Sequence, residues 1–167
     1  MRIRIIRNIY IYYFILGEIL SVVFLIIKET QMERKFIKVE KNNEITNVII
    51  NRPSKLNALS QSLIQELETV IKLLSKDENI RCVIISGEGR AFSSGADIIE
   101  LKSLTQPDAR RFITLLHKAF QAIRDCPVPV IAKIDGPCLG GGLELAICCD
   151  IRAASERYVI FYLLTSL

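Results

Sequence analysis

An α/β fold with parallel strand pairing is predicted by three observations. Short β-branched runs recur along the chain, at Ile45–Ile50, Ile80–Ser86 and Val128–Ile134. Stretches whose apolar residues repeat at helical spacing separate them. Glycine-containing turns follow two of the strands and lead into helix-like segments. Strands alternating with helices pair in parallel, because a helical crossover returns the chain to the same end of the sheet.

Taken in order, Met32-Glu33-Arg34-Lys35 leads into a first strand pattern, and Ile45–Ile50 is a strand closed by Asn51-Arg52-Pro53. Leu59, Leu63, Leu67, Val70 and Leu74 recur every three to four residues, with Ile64 and Ile71 widening the stripe, which predicts an amphipathic helix. Ile80–Ser86 reads as a buried strand running into Gly87-Glu88-Gly89. Thr105, Pro107 and Asp108 form a helix start, the threonine as cap and the aspartate three residues on. Phe112, Leu115, Leu116, Ala119, Phe120 and Ile123 then line one face. Val128–Ile134 is a further strand, which Pro129 places at a sheet edge. Leu143–Cys148 reads as helix, and Ile151–Ala154 begins another strand.

Composition bounds the function. The chain has 167 residues, half of them hydrophobic, and 22 basic against 18 acidic residues leave a formal charge of +4. That is enough chain for one buried core, and too little charge, without a dense basic run, for a dedicated nucleic-acid binder. Five cysteines without a C-x-x-C spacing argue against a disulfide scaffold or a structural zinc site and for a reducing compartment. His117 is the single histidine, so neither a multi-histidine metal centre nor a histidine-based triad is expected.

The ends differ from the middle. All five tyrosines lie outside residues 32–157, and residues 9–27 are almost wholly apolar, behind Arg2, Arg4 and Arg7. Three readings of this segment compete. One is a membrane anchor with its basic end in the cytoplasm; its length suffices to span a bilayer, and Glu18 costs about 2.5–3.5 kcal/mol on insertion scales. Another is a cleaved signal peptide, against which the absence of a small-x-small site counts. The third, which the composition favours, is an extension upstream of a true start at Met32. The domain reading is therefore an extension over 1–31, a core over 32–157 and a tail over 158–167, and the localisation is cytoplasmic or, alternatively, membrane-anchored.

Chemistry centres on two turns, Ser93-Ser94-Gly95-Ala96-Asp97 and Gly136-Pro137-Cys138-Leu139-Gly140-Gly141-Gly142-Leu143-Glu144. Glycines ahead of a helix let unpaired backbone N–H groups face an anion or a developing oxyanion. One N–H from each turn would make an oxyanion hole if the fold brings them together. The triplet fits neither G-x-G-x-x-G nor a phosphate loop with its lysine, and a tight turn without a ligand is the plain alternative. Glu144 is either a carboxylate placed by the helix dipole or a general acid/base facing the same pocket. Cys138 could be taken for a nucleophile, but no base lies within reach, and small buried apolar groups are the expected role of Cys82, Cys138, Cys148 and Cys149. His117 is expected at the surface or an interface, Asp97 at a helix cap, and Asp150 satisfying buried backbone groups.

Residues 89–97, read as Gly-Arg-Ala-Phe-Ser-Ser-Gly-Ala-Asp, together with Gly136–Ala146, Cys149-Asp150, Asn51-Arg52-Pro53 and Asn57-Ala58-Leu59, resemble the enoyl-CoA hydratase/isomerase (crotonase) superfamily over about residues 36–156. The resemblance implies a spiral of ββα turns, incomplete here at its C-terminus. It implies a coenzyme A thioester as substrate, with coenzyme A as part of that substrate and no separate cofactor. The N–H groups of Ala96 and Gly141 would hold the thioester oxygen and stabilise an enolate, and Glu144 would match one of two carboxylates used in hydrating 2-enoyl-CoA, as in fatty-acid β-oxidation. Lys55, Leu56 and Ala58 match a loop along the coenzyme A, and the backbone of Ala96, Asp97 and Ile98 would lie near its adenine. Relatives form trimers or hexamers through C-terminal helices. After Arg157 the chain departs from the pattern: the second carboxylate would fall near Leu164, where none stands. The expectation is a truncated or frameshifted member, either hydratase or isomerase, or alternatively an inactive fragment that at most binds acyl-CoA or is tethered to a membrane.

Overall fold

The computed structural model describes residues 35–161. The apolar segment 9–27 and the position of Leu164 lie outside the described residues, and so do the readings attached to them. Among the described residues no helix is long and apolar enough to cross a membrane.

The Asn43–Glu44 hairpin joins β1 (Ile37–Asn42) to β2 (Ile45–Ile50), with Asn43 at φ 53°, a conformation asparagine tolerates well. Then come α1 (Gln61–Leu74), β3 (Cys82–Gly87), the short α2 (Ile98–Lys102), α3 (Gln106–Arg124), β4 (Val130–Ile134), β5 (Pro137–Leu139), α4 (Gly141–Ile147), β6 (Ile151–Ala154) and β7 (Val159–Phe161). Five strands form one sheet in the order β1-β2-β3-β4-β6. Only β1 runs antiparallel to its neighbour; β2, β3, β4 and β6 are parallel, as the alternation of strand and helix predicts. β5 and β7 form a separate parallel pair, so residues 159–161 of the expected tail belong to the fold.

Register shows where the core sits. Thr46, Val83 and Val130 form one cross-strand row and Val48, Ile85 and Ala132 the next, all fully buried. Ile49, Ile84 and Ile131 alternate with them on the other face and are half-buried. The β3 run, read as buried throughout, is thus fully buried on one face only. Against the buried face α1 presents Leu63, Ile64, Leu67, Val70, Ile71 and Leu74. Each such side chain contributes about 1.5–3 kcal/mol on burial, so the apolar stripe is what holds α1 in place. α3 packs against α1 through Phe112, Leu116, Ala119, Phe120 and Ile123. Both helix starts are capped: Ser60 Oγ accepts from Leu63 N, and Thr105 accepts from Asp108 N.

Two expectations are corrected. β4 is not an edge strand but lies between β3 and β6. Pro129 precedes the first paired residue and contributes only its carbonyl, which accepts from Val83 N at 3.0 Å, so its missing N–H costs nothing. Leu59 keeps the spacing of the α1 stripe yet precedes the Ser60 cap, and it pairs with Ala96 in an isolated parallel bridge.

Candidate active site

One bridge draws the glycine turns together, and a second ties the first of them to the residue before the α1 cap. Ser93 pairs with Cys138: Ser93 N donates to Pro137 O (3.1 Å) and Leu139 N donates to Ser93 O (2.9 Å). Leu59 pairs with Ala96: Leu59 N donates to Gly95 O (2.8 Å) and Asp97 N donates to Leu59 O (3.0 Å). The buried Ser93 hydroxyl fastens the first turn internally, donating to Asn57 O (2.9 Å) and accepting from Gly95 N (3.2 Å). Gly95 sits at φ +92°, and a methyl group there would lie 2.9 Å from Leu139 O and 3.2 Å from Gly141 N. Only glycine allows both that backbone conformation and so close an approach of the two turns.

The amides of Ala96 and Gly141 therefore lie close together. A methyl group on Gly141 would sit 3.5 Å from Ala96 N and 3.9 Å from Gly95 Cα. Neither N–H has an acceptor among the described residues. Each belongs to a peptide group whose carbonyl end is occupied: Gly95 O by Leu59 N, and Gly140 O by Leu143 N (2.9 Å) and Glu144 N (3.0 Å). Because a trans peptide is planar, with N–H opposed to C=O, holding the oxygen fixes the direction of the N–H.

Glu144 lies one helical turn beyond Gly141, on the same face of α4 by its i,i+3 spacing. It is exposed, and its carboxylate has no hydrogen-bond partner among the described residues. The residues matched to a coenzyme A loop fall in two neighbouring segments. Lys55 is exposed at the end of a 3₁₀ turn, Leu56 is half-buried, and Ala58 is buried. Ser94 N donates to Leu56 O at 2.9 Å, so residues 55–59 run beside Ser94–Asp97. Ile98 stands exposed at the start of α2.

The Asp97 side chain is already engaged. One oxygen caps α2, accepting from Ile99 N (3.0 Å) and Glu100 N (3.4 Å), and the other pairs with Arg52 Nη1 at 2.7 Å. Burial disfavours its ionised form, but Arg52 and the α2 amides outweigh that and hold its pKa below the ordinary carboxylate value. Arg52 and Asn57 are the residues that sequence reasoning passed over. Asn57 is fully buried at φ 56°; its oxygen accepts from Arg52 N (2.9 Å) and its amide donates to Glu88 O (3.0 Å) and Ala91 O (2.7 Å). Both stand in the motif segments 51–53 and 57–59, but the bonds that tie them to Asp97, Glu88 and Ala91 span thirty-one residues or more, beyond any local signal.

The remaining candidates take the plain roles. Burial raises the Cys138 thiol to about 11 and the Cys149 thiol to about 12, far from a nucleophilic thiolate. Cys82 and Cys148 are half-buried. Asp150 accepts from Val130 N at 2.8 Å while its own N–H donates to Val130 O. His117 is exposed on α3.

The profile of the enoyl-CoA hydratase/isomerase family matches residues 40–165. The chain belongs to this family. The match runs through residues 158–165, which the sequence reading set apart as a tail. A short-chain-enoyl-CoA hydratase of Clostridium acetobutylicum is 40% identical over 127 residues, covering 75% of this chain and 49% of that protein. A mitochondrial Δ(3,5)-Δ(2,4)-dienoyl-CoA isomerase of Mus musculus is also 40% identical, over 123 residues, 67% of this chain and 38% of that protein. The crystal structure of an enoyl-CoA hydratase/carnithine racemase from Magnetospirillum magneticum superposes with a TM-score of 0.75 at 38% identity, covering 78% of this chain and 50% of that one. The chain thus spans about half the length, or less, of these relatives, and it has the crotonase fold over the part they share.

Proposed function

We propose that this chain carries the thioester-activating site of an enoyl-CoA hydratase/isomerase. Ala96 N–H and Gly141 N–H receive the carbonyl oxygen of an acyl-CoA thioester, and the charge that gathers on that oxygen as an enolate forms is stabilised by two fixed dipoles. Each donor is worth about 2.7–4 kcal/mol at the transition state, by the measure of oxyanion holes generally. The supporting observation is the close approach of these two acceptor-free amides, each with its carbonyl end tied down.

Glu144, one turn along α4, is the acid/base beside them. In hydration of 2-enoyl-CoA it would exchange a proton with water or with the α-carbon. Lys55, Leu56 and Ala58 lie along the coenzyme A, with the Ala96–Ile98 backbone toward its adenine. No separate cofactor enters the proposal, because coenzyme A arrives with the substrate. Double-bond isomerisation uses the same enolate and is supported by the identity to a dienoyl-CoA isomerase, equal to that with a hydratase. Binding of acyl-CoA without turnover is the third reading, and the exposed, unpartnered Glu144 favours it. We assign the chain to the cytoplasm on its five free cysteines.

The test supplies crotonyl-CoA and 3-hexenoyl-CoA to the purified chain and identifies products. Gly141→Pro removes one N–H at the first helical position, where proline is tolerated, and should lower kcat by about 10²–10³ without unfolding the chain. Turnover unchanged by this substitution rejects the oxyanion assignment. Thioester binding without product selects the third reading.

A further inference from the structure

The Ala96 amide stands at the end of a continuous hydrogen-bonded series that begins on a charged group. Asp97 Oδ2 accepts from Arg52 Nη1 at 2.7 Å, and the same Nη1 donates to Ala58 O at 3.0 Å. That oxygen belongs to the Ala58–Leu59 peptide, whose N–H donates to Gly95 O at 2.8 Å. Gly95 O belongs to the Gly95–Ala96 peptide, whose own N–H is the acceptor-free one. Two peptide groups therefore stand in series between a guanidinium and the open amide. The guanidinium is largely buried, with the side chain 20% exposed, and the Phe36 ring lies 5.9 Å from its carbon.

We propose that Arg52 is a positioning residue for thioester activation, aiming and polarising the Ala96 N–H through the Ala58–Leu59 and Gly95–Ala96 peptides. This rests on the oxyanion reading above. A positive charge at a carbonyl oxygen draws electrons along that peptide and makes its N–H a stronger donor. The next peptide is polarised in the same sense, since hydrogen bonds in series reinforce one another in a low dielectric. Fixing each carbonyl also fixes the plane, and hence the direction of the last N–H. Asp97 holds the guanidinium at the head of the series while capping α2 with its other oxygen. Its ion pair shares a donor nitrogen with Ala58 O, which a solvent-facing ion pair would not do. Among the described residues Gly141 lacks such a charged lead: its carbonyl partner is gripped only by the Leu143 and Glu144 amides.

The readout is the carbonyl stretch of crotonyl-CoA labelled with 13C at the thioester carbon, measured free and bound to the full chain. Bound to the wild type it should move to lower frequency. Arg52→Gln should reduce that displacement and lower kcat about tenfold with KM little changed, because a donor is weakened rather than removed. Arg52→Lys, which keeps the charge, should recover most of the displacement. If Arg52→Gln does not fold, Asp97→Asn serves, since asparagine still caps α2 but releases the guanidinium; the displacement should again fall. An equal displacement in the wild type and in a folded Arg52→Gln or Asp97→Asn overturns the role of Arg52 and leaves the oxyanion reading standing. No displacement in the wild type overturns both.

Discussion

Gly142 lies directly against Ser93: a methyl group on Gly142 would fall 2.6 Å from Ser93 Cβ and 2.7 Å from Ser93 O. Ser93 is fully buried and bonded on both sides, to Pro137 O and Asn57 O as donor and from Leu139 N and Gly95 N as acceptor. It cannot retreat. Gly142→Ala should therefore push α4 away from the Ser93 turn and separate Gly141 N from Ala96 N. Overpacking of this kind costs about 1–3 kcal/mol. A lower melting temperature together with weaker crotonyl-CoA binding is expected; loss of stability with binding intact would show that the turns move apart without opening the site.

Asn57 carries the neighbouring loop. Its side chain satisfies one buried and one half-buried carbonyl and the Arg52 N–H, and its backbone sits at φ 56°. Asn57→Ala should destabilise the chain by about 3 kcal/mol or more, since each orphaned buried group costs about 1–3 kcal/mol and alanine resists positive φ. Asn57→Gly relieves the backbone alone and should fall between the two. Urea midpoints at constant m-value measure the order, and equal losses for both variants would place the whole effect in the side chain.

The sequence is legible where physics is local. The α1 stripe, the Thr105 cap and the β2 run each declare themselves within a few residues, and the structure places them within one or two positions. Pro129 misled because proline excludes a ladder position but says nothing of the residue after it. Leu59 misled because helical spacing continues across a cap into an extended residue. The two glycine turns announced open amides. That they meet was carried in the sequence only by the motif resemblance, because the Ser93–Cys138 bridge spans forty-five residues. The Arg52–Asp97 pair spans the same distance; both residues stand in the motif segments, but their pairing was not legible, since an arginine before a proline looks like any turn residue.

The cysteines offer a direct check on the buried side of the site. Burial lifts Cys138 to about 11 and Cys149 to about 12, and both are enclosed. At about pH 8 neither should react with a thiol reagent in the folded chain, whereas both should react in denaturant. Peptide mapping after a brief iodoacetamide pulse distinguishes them. Rapid native labelling of Cys138 would reopen its reading as a nucleophile, and with it the geometry of the second turn.

Asp97 links the site to pH. Its folded pKa lies below the ordinary 3.8, because the Arg52 pair and the Glu100 and Ile99 amides outweigh the opposing effect of burial. A carboxylate depressed on folding stabilises the native state fully above its unfolded pKa, and that contribution drains away as pH falls through the folded value. Wild type and Asp97→Asn should therefore differ most above the ordinary carboxylate value and converge as pH falls through the lowered folded one. Asp77, Asp108 and Asp135 are also shifted downward, but they are common to both proteins and cancel in the difference. Urea unfolding at several pH values gives the curve. A stability gap that stays constant with pH would mean that Asp97 acts only as a helix cap, and that its charge does not hold Arg52 in place.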